Sequence, residues 1–198
     1  MQLGPAVTYL AEILNYPEPS AQVVKRLLRE DGWTTKGARG RHAPHVNATE
    51  LAALIIAMMV AEQPAMALDR FRHFAALEHD ERYPGKTFLE VLALLLGRLA
   101  GEDWHKTKDS GWNVTIYVNW SAASIDTREG TEDAEGDPRA VHEFHAKDDQ
   151  PRPYFRGVER TARLNWHDLS RVAKVILAGE PDPLPEISNA ILGEEASA

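Results

Sequence analysis

Between Asn47 and Ala61 the chain reads N-A-T-E-L-A-A-L-I-I-A-M-M-V-A, and no other stretch restricts the fold so tightly. Asn47 is an N-cap residue with Glu50 three positions on, so a helix is predicted to start there. From Leu51 onward that helix has no polar stripe. It has to be buried between its own domain and something else, because a helix apolar on every side cannot rest at a surface. It falls well short of a membrane span, which needs roughly 20 apolar residues.

The covering elements are legible on both sides. Val7, Leu10, Ala11, Ile13 and Leu14 recur at helical spacing and predict a helix over about 4–14, stopped by N-Y-P-E-P, whose prolines forbid continuation. Ser20 reads as the N-cap of a second helix, with Val23, Val24, Leu27 and Leu28 as its apolar stripe up to Gly32. After Pro64, Met66, Leu68, Phe71, Phe74 and Leu77 predict a helix over about 65–79, and Phe88 to Leu99 predicts another.

Beyond Gly101 the period changes from helical to alternating. Val114, Ile116, Val118 and Trp120 alternate with Thr115, Tyr117 and Asn119, the mark of a half-buried strand, and S-A-A-S-I-D-T is its continuation or its partner. Residues 128–138 form an acidic loop, and Val141–Ala146 and Phe155–Leu164 are further strand candidates. Asn165 to Asp168 repeats a capping pattern in front of a closing helix that carries Leu169, Val172, Ala173, Val175, Ile176 and Leu177. The expected class is therefore α+β: an N-terminal winged helix-turn-helix, a helical middle, and a C-terminal antiparallel sheet with a closing helix. The expected division is a head over 1–62, a helical connector over 63–101, an α+β unit over 102–180 and a loose tail over 181–198.

The winged element is inferred from charge as well as order. The chain carries a formal charge of -8, yet between Lys25 and Arg41 six cations (Lys25, Arg26, Arg29, Lys36, Arg39, Arg41) face only Glu30 and Asp31. An acidic body repels a polyanion, so contact with one would be confined to that basic segment. Gln22, Lys25, Arg26 and Arg29 have the i, i+3, i+4, i+7 spacing of one helix face. Gly37 and Gly40 bracket Ala38-Arg39 in a turn that reads as a small hairpin between Thr34–Lys36 and Arg41–Val46, with Pro44 keeping the returning strand short.

The runs L-A-E-I-L, V-V-K-R-L-L-R-E-D-G-W, K-G-A-R-G-R-H-A and V-N-A-T-E-L together resemble the compact winged helix of the MerR and excisionase type, and equally that of small terminase subunits of lambda-like phages. The resemblance covers about residues 5–60, with N-Y-P-E-P standing where those families have a tight turn. It implies a protein that binds double-stranded DNA. Gln22, Lys25, Arg26 and Arg29 would face base edges, and Lys36, Arg39, Arg41 and His42, with His45 beside them, would face phosphates. Transcriptional regulation is the expected role. DNA packaging or recombination support, or a protein-interaction module without DNA binding, are the alternatives.

One head buries little DNA, so a homo-oligomer, a dimer first, is expected. The apolar segments 51–61 and 88–99 are its candidate interface, unless they form the core joining head to C-terminal part. The acidic C-terminal part is a candidate surface for a protein partner. No catalytic signature is present, His142 and His145 would point to opposite faces of a strand, and the chain has no cysteine, so neither an enzyme nor a cofactor or metal site is expected. The opening M-Q-L-G-P-A-V-T-Y-L lacks the basic and apolar runs of a secretory signal, which leads to the expectation of a cytoplasmic protein without a membrane partner.

Overall fold

The computed structural model describes residues 1–35, 44–79, 85–101, 113–118, 122–128, 139–146 and 161–180. Three helices open the chain: α1 (Leu3–Ile13), α2 (Glu18–Glu30) and α3 (Ala48–Val60). A 3-10 turn at Pro64–Met66 leads into α4 (Ala67–Ala75), a two-residue strand β1 (Glu78–His79) and α5 (Phe88–Gly101). The strands β2 (Asn113–Tyr117), β3 (Ala122–Arg128), β4 (Arg139–His145) and β5 (Thr161–Leu164) follow, and α6 (Trp166–Ala173) closes the order with a π turn at Lys174–Ala178. The fold is α+β, with the helices first, the antiparallel sheet after them and a closing helix.

The α3 helix is the centre, as its sequence demands. Asn47 Oδ1 accepts from the Glu50 N–H at 2.9 Å and Glu50 Oε2 accepts from the Asn47 N–H at 3.0 Å, so the cap is reciprocal. Every residue from Glu50 to Val60 is buried. Each Leu or Ile so enclosed contributes about 1.5–3 kcal/mol relative to exposure. The far end is stopped by Arg70 of α4, whose Nη1 donates to the Val60 carbonyl at 2.9 Å, satisfying one of the carbonyls a helix end leaves bare. This chain alone covers both α3 and the inner face of α5, so of the two explanations for segments 51–61 and 88–99 the core is the one the packing supplies.

Among the described residues five strands form one sheet in the order β1-β4-β3-β2-β5, antiparallel throughout. The S-A-A-S-I-D-T run is thus the partner of β2 and not its continuation. Cross-strand register puts Val114 opposite Ile125 and Leu164, and Ile116 and Phe144 opposite Ala123; these residues share the face turned to the helices. Phe144 meets Phe88 of α5 at 5.2 Å and His79 at 5.1 Å between ring centroids. Thr115 and Ser124, paired on the opposite face, are buried as well. One hydrophobic cluster runs from Ala6 to Ile176, and Arg171 of α6 lies over the Tyr9 ring of α1 at 5.6 Å, so the first helix touches the last.

Three sequence expectations shift. Helix α2 begins at Glu18 behind Pro17, not behind Ser20, because proline in a first helical turn removes only an N–H that has no partner there. The helix expected over 65–79 stops at Ala75, and Glu78–His79 pairs with β4 instead, a long-range ladder that helical periodicity cannot reveal. The returning arm of the expected hairpin meets the chain start: His45 bridges Gln2, and the Val46 N–H donates to the Met1 carbonyl at 2.9 Å.

Candidate nucleic-acid interface

Ala21, Val24 and Leu28, at i, i+3 and i+7, are the buried stripe by which α2 is held against its neighbours. That choice rotates the polar residues outward. Gln22 and Lys25 are partly exposed, Arg26 and Arg29 exposed, and the four share one side of the helix, flanking the buried stripe. Lys25 Nζ donates to Gln22 Oε1 one turn away. Arg26 Nε stands 4.0 Å from Glu30 Oε1, with both side chains more than half exposed, a surface pair of the kind that contributes little. Arg29 has no ion pair among the described residues.

The acids next to this face are mostly turned away from it. Glu18 accepts the Thr8 hydroxyl at 2.9 Å. Asp31, the C-cap, accepts from Trp33 Nε1 at 2.7 Å and from Arg72 Nε at 3.1 Å, with Arg72 Nη2 completing a two-pronged grip from α4. The Arg72 guanidinium holds the Asp31 carboxyl below its usual range, against a desolvation effect of opposite sign.

How α2 ends decides where the chain goes next. Gly32 adopts φ +91°, its N–H reaches the Arg29 carbonyl at 3.3 Å, and the Trp33 N–H reaches the Leu28 carbonyl at 2.9 Å; this is a Schellman end, for which glycine is the natural residue. The Trp33 ring then meets Phe71 of α4 edge-on at 5.0 Å. Thr35 donates its N–H at 2.6 Å, and its hydroxyl as well, to Glu50 Oε1. A single buried carboxylate thus joins Thr35 to Asn47, on either side of the Gly/Arg segment. An open depression of about 550 Å³ lies there, lined by Gly32, Trp33, Thr34, Thr35, Asn47, Thr49 and Glu50.

The structure therefore brings Gln22, Lys25, Arg26 and Arg29 together on one side of α2, the two arginines exposed and the other two partly so. Lys36, Arg39, Arg41 and His42 lie outside the described residues. His45 is exposed. The sequence reading missed three residues that shape the site. N-A-T-E announced Glu50 as a cap but not its bond to Thr35, because the contact spans 15 residues; Asp31 and Arg72 are 41 apart, with no local signal at all. Among the described residues no group of three or more His, Asp or Glu is placed to hold a metal. The arrangement offers cationic and amide donors on one helix side, groups that can hydrogen-bond anionic oxygens. No protein-family model, curated protein or solved structure matches the chain.

Proposed function

We propose that the chain is a sequence-specific double-stranded DNA-binding protein that regulates transcription from the cytoplasm. In this reading α2 enters a major groove, Gln22, Lys25, Arg26 and Arg29 face base edges, and Lys36, Arg39, Arg41 and His42 contact phosphates. The observation that carries it is the outward cationic face of α2 beside acids, Glu18 and Asp31, that are bonded within the protein. An approaching DNA groove meets Arg26 and Arg29, with the loosely paired Glu30 as the neighbouring acid to displace among the described residues. Two copies acting on adjacent half-sites supply the affinity that one small head lacks.

The test is selection of genomic fragments by the purified full chain at two salt concentrations. Enrichment of one motif, lost or altered by Gln22→Ala or Arg26→Ala, supports the reading. Retention that ignores sequence, or an unchanged motif in both variants, removes α2 from the groove.

A further inference from the structure

A carboxylate at the C-cap of a helix is badly placed. It lies at the negative end of the helix dipole. At the end of a helix that reads DNA its charge also weakens the pull of the neighbouring cations on a polyanion. Asp31 occupies that position in α2, two residues beyond Arg29 and next to Glu30. With side chains included a helix is about 10 Å across, so the Asp31 charge acts on the cationic face within about one Debye length at 0.1 M salt.

Arg72 answers that charge from another element. Its Nε and Nη2 both grip the carboxylate, and the grip comes from α4, at a sequence separation of 41. Asp31 also anchors Trp33, whose indole N–H donates to Oδ2 at 2.7 Å and so fixes the ring at the point where the chain turns off α2. The carboxylate is thus useful as an acceptor and harmful as a charge. A half-exposed ion pair adds little stability in its own right. Without Arg72, Asp31 and the exposed Asp69 would lose their cationic partner on the α4 side of α2.

We infer that Arg72 is a positioning residue for the DNA contact: it masks the charge of Asp31, on the α4 side of α2, while holding the helix end against α4. The inference rests on the DNA-binding reading. It gives Asp31 and Arg72 effects of opposite sign, which a merely structural joint would not.

The experiment measures association rates of the full chain with the selected duplex at low and high salt, for wild type, Arg72→Ala, Asp31→Asn and the double variant. Asparagine keeps the acceptor for Trp33 and removes the charge. The expected result is association about twofold slower for Arg72→Ala at low salt, converging on wild type at high salt, as a misplaced charge near an interface acts mainly on approach. Asp31→Asn alone should bind as fast as wild type or faster, and should restore Arg72→Ala. Slowing by Asp31→Asn, failure of the rescue, or a loss that persists at high salt overturns the inference while leaving DNA binding intact. A wild type that binds no duplex at low salt overturns both.

Discussion

Gly32 and Gly97 allow one chemical change to be made twice with opposite expected sign. Gly32 ends α2 at φ +91°, and a methyl group there would meet nothing within 4 Å. Steric clash with the rest of the protein is therefore excluded as a cause, and Gly32→Ala isolates backbone strain. A side chain in a left-handed conformation costs about 1–2 kcal/mol, and the lower chain entropy of unfolded alanine returns about 0.4–1 kcal/mol. The net expectation is a loss of about 1 kcal/mol. Gly97 lies inside α5, also with nothing within 4 Å of an added Cβ. There alanine should stabilise by about 0.5–1 kcal/mol. In a chain of this size 1 kcal/mol moves Tm by about 2–4 °C, so the variants should separate by several degrees in thermal unfolding followed by circular dichroism. Gly32→Asn should fall between Gly32→Ala and wild type, since asparagine tolerates the left-handed region better. A neutral or stabilising Gly32→Ala, or equal shifts at the two sites, would refute the Schellman end of α2 and with it the exit path through Trp33.

Leu54→Ala should cost about 2–5 kcal/mol in urea unfolding, because Leu54 is fully enclosed in α3; a loss under about 1 kcal/mol would mean that α3 is not the centre of the core. Glu50→Ala removes the acceptor shared by the Thr35 and Asn47 donors and should cost about 1–2 kcal/mol, whereas Glu50→Gln, which retains one acceptor oxygen, should cost less; equal losses would contradict the shared hydrogen bonds at that carboxylate. Burial lowers the His73 pKa below its ordinary 6.5, since imidazolium is the form that loses hydration. The folded pKa is the lower one, so the corresponding stability is complete above 6.5 and is lost as pH falls through the folded value; an NMR titration of His73 with a midpoint at or above 6.5 would overturn this.

Much of this fold is written locally. The N-A-T-E cap and the unbroken apolar run place α3 without any tertiary information, and Val114-Thr115-Ile116-Tyr117 declares a strand by alternation alone. The class, α+β with a closing helix, follows from such signals. Strand partners do not: β1 is two residues that end what looks like a helical stripe, and β5 joins β2 on the side away from β4, choices that depend on contacts between distant segments. The candidate site divides the same way. The shared side of Gln22, Lys25, Arg26 and Arg29 was legible from their helical spacing, whereas Asp31 with Arg72, and Thr35 with Glu50, owe their pairing to how α2, α3 and α4 pack.

The central claim is that the outward cations of α2 grip DNA phosphates and bases. It is tested most directly by the salt dependence of equilibrium binding to the selected duplex, for wild type and for Arg26→Ala and Arg29→Ala. Each cation that releases a counterion contributes a slope of about 0.9 in log K against log salt, so each variant should flatten the wild-type slope by about that amount if its arginine touches phosphate, or keep the slope and lose the motif if it reads a base. Variants that retain both the wild-type slope and the wild-type motif would contradict the claim.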